Sequence, residues 1–222
     1  MGKKSKKKDT KRILKDVWYF IWEDDSIWSW IVNIILAFVL IKYVVYPGLG
    51  FLLATSHPIV AVVSGSMHHD GNFDNWWENG NEWYVNNDIT KEDFLYFSFR
   101  NGFSRGDIMV LSGAKPKDIK IGDIIVFISH KNRPRADPII HRVVVKMESD
   151  GKYSFQTKGD NHNTNKISIN ACDSTGCIDE TDISEEQIIG KALFRVPFLG
   201  YVKIWAVEMV CLVDDFNFCI RS

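Results

Sequence analysis

Ser64-Gly65-Ser66-Met67 stands directly after the apolar run Ile59-Val60-Ala61-Val62-Val63. A serine hydroxyl at the end of a strand is well placed for exposure, although Gly and Ser taken alone are ordinary turn residues. His141 lies inside Ile139-Ile140-His141-Arg142-Val143-Val144-Val145. A hydrophobic strand is an expensive place for an ionisable ring unless something uses or satisfies it. Asp160 sits in the turn Thr157-Lys158-Gly159-Asp160-Asn161, at the end of the next strand-like segment, where a carboxylate can reach a histidine on a neighbouring strand. In chain order Ser66, His141 and Asp160 supply a nucleophile, a general base and an orienting acid, a constellation defined by role and not by position. The chemistry implied is acyl transfer through an activated serine.

The elements that would hold these side chains are short and β-like. PIVAVVSG, GDIMVLSG, GDIIVFIS, IIHRVVVKM, YSFQTKG and QIIGKALFRV are rich in Val, Ile and Phe, each beside Gly, Ser, Asp or Asn, which predicts a mainly β domain over residues 54–222. Residues 68–103 interrupt it as an insert full of Asn, Gly and aromatics, in which KEDFLYFSF reads as a short helix or a strand. Cys172 and Cys177 bracket the turn-like Asp173-Ser174-Thr175-Gly176 and leave a local disulfide open.

In front of this domain the chain is a different material. From Ile27 to Leu53 the only charge is Lys42, and the 20 residues Ile27 to Tyr46 would rise about 30 Å, one hydrocarbon core. Residues 27–53 therefore read as a transmembrane helix and its exit segment, with Pro47 and Gly48 ending or kinking it. Trp18, Tyr19, Phe20, Trp22, Trp28 and Trp30 on one side, and Tyr43 and Tyr46 on the other, make two aromatic belts. Residues 1–26 form a basic tail and interfacial segment: residues 1–15 carry seven Lys and one Arg against one Asp. As a bare charge run the tail is expected to be disordered, and positive flanks stay on the cytoplasmic side, which puts the β domain outside a cell membrane crossed once. Residues 16–222 hold 27 acidic and 19 basic residues, so the folded part repels phosphates and no nucleic-acid partner is expected. A second apolar stretch, Ile204 to Val213, is ten residues long, contains Glu208 and is too short to span; it lies on the membrane surface or packs on the domain.

VSGSM, then RGDI and GDIIVF, then IIHRVV, TKGDN and IIGKALFRVPFLGYV, in this order behind a single membrane helix, resemble the type I signal peptidases over most of residues 58–203. Histidine within IIHRVV is similar to the archaeal and endoplasmic-reticulum branch; the bacterial branch carries Lys there. The resemblance implies a signal-peptidase-like β-barrel and a membrane-anchored serine endopeptidase that removes signal peptides from exported preproteins, cutting after small residues. It implies Ser66 as nucleophile, His141 as general base, Ser64 as an oxyanion donor, no cofactor and no metal. The implied partners are secretory preproteins, the lipid bilayer and the protein-export channel.

The chain also departs from that pattern. Members of the branch have a further Asp about six residues after the Gly-Asp-Asn acid, and that later acid commonly orients the histidine; here the position is Lys166. The next acid is Asp173, inside the Cys172 to Cys177 loop, so Asp160 and Asp173 both stand as candidates, with Asp160 favoured because a strand-end turn is the firmer mount. The insert replaces a short connection and reads either as a membrane-dipping lid or as a packed insert. Its seven acids against two bases over residues 68–100 favour the second. A different class of reading keeps the same fold as a catalytically silent extracytoplasmic scaffold. A metal-binding ectodomain built on His68, His69 and Asp70 with His57 or His162 is the least favoured, because adjacent histidines rarely reach one ion.

Overall fold

The computed structural model describes residues 3–202 and Trp205. The apolar stretch Ile204–Val213 otherwise lies outside the described residues, as do Cys211 and Cys219. The chain divides into two compact units, residues 1–52 and the remainder from Leu53.

The first unit is helical, and its start differs from the sequence expectation: the basic run belongs to helix α1, Lys3–Trp22. Lysine is a good helix former, and from Ile13 onward Ile13, Val17 and Ile21 stack with Leu14 and Trp18 at spacings of three and four on one face. The end of α1 is capped from the next helix, α2 (Ile27–Leu40). Ser29 Oγ donates to the Phe20 carbonyl at 2.6 Å and Asn33 Nδ2 to that of Ile21 at 2.9 Å, satisfying two of the orphan acceptors at the helix end. Ser26 caps α2 by accepting from Ser29 N–H.

The helix does not stop at Pro47. After α2 it widens into a π-helical turn, Ile41–Val45, and continues as α3, Tyr46–Leu52. Proline lacks an N–H and its ring collides with the carbonyl four residues back. The wider turn just before it, in which Tyr46 N–H donates to the Ile41 carbonyl, opens the ladder where the collision would fall. The run Ile27–Leu52 is 26 residues long and apolar enough to cross a membrane.

The second unit is mainly β. One antiparallel sheet of seven strands, curled into a half-barrel, takes the spatial order β1 (Ile59–Ala61), β2 (Ile108–Ser112), β9 (Ile188–Val196), β3 (Ile124–Phe127), β4 (Ile139–Ser149), β5 (Lys152–Lys158), β8 (Ile183–Ser184). A separate hairpin pairs β6 (Asn170–Asp173) with β7 (Gly176–Asp179) and is closed by a Cys172–Cys177 disulfide. All six segments expected as strands are strands; β6, β7 and β8 are too short or too polar to show a period. Both faces of the sheet carry buried side chains. One carries Val62, Met67, Phe103, Ile124, Val126 and Ile140, and the other Ile119, Ile125, Phe127, Val143, Phe155 and Ile183.

The insert forms three short helices, α4 (Phe73–Gly80), α5 (Glu82–Val85) and α6 (Lys91–Leu95). Trp76, Tyr84 and Phe94 are fully buried, packed with Trp77 and Ile89 against Val144 of the sheet. A lid would hold these rings at its surface; here they make a core of their own. The two ends of the insert are tied at its base, where Phe103 N–H donates to the Met67 carbonyl at 3.0 Å and His68 Nδ1 meets Ser104 Oγ at 2.8 Å.

Candidate active site

Ser66 stands in the turn that leaves β1, half-buried, with its hydroxyl 3.1 Å from that of exposed Ser64. The turn closes through His68 N–H donating to the Gly65 carbonyl at 3.0 Å. It is clamped onto the end of β5 by three bonds. Asn161 N–H donates to Ser66 O at 2.8 Å, Asn161 Nδ2 to Gly65 O at 2.9 Å, and Asp160 N–H to Met67 Sδ at 3.4 Å. Gly159 is required there, because a Cβ on it would come within 2.9 Å of the Ser66 carbonyl.

The histidine is on the adjoining strand. β4 and β5 pair with Arg142 opposite Lys158 and Val143 opposite Thr157, so one step on His141 falls beside Gly159. Side chains alternate along a strand. His141, Val143 and Thr157 therefore share one face with the direction in which Gly159 meets Ser66, while Arg142 and Lys158 point to the other. The register thus brings the Ser66 turn and His141 to the same corner of the sheet.

That alternation separates the expected acid, Asp160, from His141. Asp160 is fully buried with the Arg142 face. Its carboxylate accepts from Arg142 Nη2 at 2.6 Å and Nε at 2.9 Å, from His69 Nε2 at 3.0 Å and from the Tyr84 hydroxyl at 2.9 Å. Burial pushes its pKa up, but the Arg142 guanidinium and the His69 bond outweigh it and hold the carboxyl well below the usual carboxylate range. Asp173, the other candidate, is exposed and paired with Arg135 at 2.6 Å. The group at His141 Nδ1 is instead the carboxylate of Glu180, a residue that sequence reasoning passed over. Glu180 follows β7 and is fully buried. Its main chain bonds both Thr157 and Ile169, and its carboxylate accepts from Thr157 Oγ1 at 3.2 Å and Ile169 N–H at 2.9 Å. With the carboxylate ionised, Nδ1 is the donor and Nε2 is left as the proton acceptor.

Lys158, His69 and His68 each have partners of their own. Lys158 is buried, its ammonium 4.7 Å from the Tyr84 ring and donating to Gly159 O. Desolvation pulls its pKa down to about 8 against the raising influence of Asp160 and Glu180. His69 stacks on Trp76 with ring centroids 3.7 Å apart. Burial lowers its pKa, partly offset by Asp160. His68 turns away to Ser104 and Asp70, so the adjacent histidines serve different partners, and among the described residues no group of three His, Cys, Asp or Glu side chains is arranged to hold a metal.

A half-barrel sheet, a span-length apolar helix ahead of it and a serine turn clamped beside a buried histidine are features of a signal-peptidase-like chain, and similarity to known proteins falls in that class. No protein-family model matches the chain. It is 29% identical over 163 residues, 72% of this chain and 62% of the relative, to the signal peptidase complex catalytic subunit SEC11C of Homo sapiens. It is 28% identical over 168 residues, 76% of each chain, to the signal peptidase complex catalytic subunit SEC11 of Scheffersomyces stipitis, and 25% identical over 167 residues, 75% and 73%, to that of Yarrowia lipolytica. The chain spans 62% of the length of the mammalian relatives it matches.

Proposed function

We propose that this protein is a membrane-anchored serine endopeptidase that removes N-terminal signal peptides from exported preproteins. The observation that carries the reading is the clamping of the Ser66 turn onto Gly159 and Asn161, on the sheet face that holds His141. Ser66 Oγ attacks the scissile carbonyl carbon, and His141 Nε2 takes its proton. The tetrahedral oxyanion is met by the Ser66 N–H and by Ser64 Oγ–H, which already lies within hydrogen-bond reach of the nucleophile. His141 then returns the proton to the leaving amine, the C–N bond breaks, and a water activated by the same ring releases the acyl group. The preference for small residues on the acyl side is carried over from the resemblance.

The basic α1 stays in the cytoplasm, Ile27–Leu52 crosses the cell membrane once, and the sheet works outside. Ser66 follows the end of the span by fourteen residues of chain, which suits a substrate whose hydrophobic segment lies in the bilayer and whose cleavage site emerges at its surface. The partners on this reading are secretory preproteins, the bilayer and the protein-export channel. The test is cleavage of a model preprotein by the full chain in vesicles, with the product's new N-terminus sequenced. Wild type cuts after a small residue, and Ser66→Ala and His141→Ala are inactive. Undiminished cleavage by both variants overturns the reading, and a folded wild type that cuts no preprotein favours a silent scaffold.

A further inference from the structure

We infer that Glu180, presented by the chain that leaves the disulfide-closed β6–β7 hairpin, is the positioning residue that holds His141 in its base form. The inference rests on Ser66 and His141 being the reacting pair. Three observations carry it. First, the carboxylate of Glu180 is the partner of His141 Nδ1, and both groups are buried. Second, Glu180 has little freedom to leave. Its N–H donates to Ile169 O and its carbonyl accepts from Thr157 N–H, each at 2.8–2.9 Å, while Thr157 Oγ1 and Ile169 N–H take up both carboxylate oxygens. Third, the two other acids in question are engaged elsewhere, Asp160 by Arg142, His69 and Tyr84, and Asp173 by Arg135.

The hairpin explains how a residue so far along the chain arrives there. Cys177 N–H donates to Arg133 O and Asp179 N–H to Ser129 O, both at 2.8 Å, fastening β7 to the loop between β3 and β4. The disulfide closes β6 onto β7 just before Glu180.

During attack the proton of Ser66 moves to His141 Nε2, and the Nδ1 proton stays on the ring, donated to Glu180. No other bond forms or breaks at Glu180; the carboxylate fixes the tautomer and offsets the imidazolium charge. A glutamine is a sharp probe. Its oxygen must face the Ile169 N–H, which turns its NH₂ toward His141 and favours the tautomer with the proton on Nε2, where it blocks base action.

The experiment measures kcat and KM on a model preprotein with the full chain in vesicles, for wild type, E180Q, E180D, D160N, D173N and S66A, with melting curves for each. Expected are a fall in kcat of about 10²- to 10⁴-fold in E180Q at a KM within about threefold of wild type, partial recovery in E180D, and wild-type kcat in D173N. The far-downfield proton resonance of the His141 N–H bonded to carboxylate should be present in wild type and E180D and absent in E180Q. Folded E180Q with undiminished kcat, or D160N that melts like wild type yet loses kcat at unchanged KM, overturns the assignment. Those results in a protein whose S66A variant is inactive leave the peptidase reading standing; an active S66A variant removes that reading itself.

Discussion

At the scale of single residues, the most consequential buried charge pair is Arg142 with Asp160. Arg142 also donates to the carbonyls of Ser98 and Gly122 at 2.7 and 2.8 Å and to that of Phe99 at 3.1 Å, and its guanidinium lies 4.6 Å from the Phe94 ring. It therefore pins the end of the insert to the sheet. Removing only the acid leaves a buried guanidinium without its counter-charge, which costs about 3–5 kcal/mol. Asp160→Asn should lower the melting temperature by about 10 °C, read by thermal melting, and lose activity through folding. The two ionisable partners of this cluster respond to acid at different pH. Asp160 is held below the ordinary carboxylate range, so its stabilisation is complete above about pH 4 and is lost only as pH falls toward its native value. His69 is depressed by burial, so the unfolded chain takes up a proton near pH 6.5 that the folded one refuses. Stability should consequently fall as pH drops below about 6.5. Melting temperatures at pH 7.5 and 5.5 check this: wild type should lose more than His69→Gln, whose amide still donates to Asp160.

At the scale of elements, the β6–β7 hairpin is a minor part of the fold and, on the inference drawn from Glu180, a major part of the proposed site. None of its residues joins the two core clusters of the seven-stranded sheet; every residue of β6 is exposed, and in β7 Gly176 and Cys177 are buried. Opening its disulfide in Cys172→Ser with Cys177→Ser should therefore cost little global stability. It should raise amide hydrogen exchange at Cys177 and Asp179 while leaving β3, β4 and β5 protected, and lower kcat through a looser Glu180. Equal exchange in the double variant and wild type would show that the main-chain bonds to Arg133 and Ser129 suffice without the disulfide. The insert behaves in the opposite way. Trp76 packs against Trp77, Tyr84 and Phe94 and donates its indole N–H to the Asp160 carbonyl at 3.0 Å. Trp76→Ala should destabilise by about 3–5 kcal/mol, measurable by denaturant unfolding, whereas a lid residue would leave stability unchanged and alter only substrate access.

At the scale of the whole molecule, a basic amphipathic helix, a span-length helix and a net-acidic β unit follow one another along the chain. This order makes a topological prediction. Protease added to spheroplasts should degrade the chain beyond about residue 60 and spare the lysine-rich start, as detected with tags at each end. Protection of the β unit would reverse the proposed orientation.

Much of this was legible in the residues themselves. Strands rich in Val, Ile and Phe, bounded by Gly and Asp, declare themselves because burial on a pleated sheet selects those side chains locally. The span-length helix declares itself because a bilayer-crossing segment needs one long, predominantly apolar run. Ser66 and His141 stood out as polar groups at the end of, and inside, otherwise apolar strands. Other features depended on contacts between distant parts of the chain. The helical fate of the basic start is supported by caps donated from α2, and the packing of the insert by rings that meet Val144 of the sheet. Which acid faces His141 was decided by tertiary structure alone. A shift of one residue along a strand moves a side chain to the other face, so Asp160 goes to Arg142, and Glu180, 39 residues from His141 in sequence, returns through a loop whose course is set by hydrogen bonds to Thr157 and Ile169.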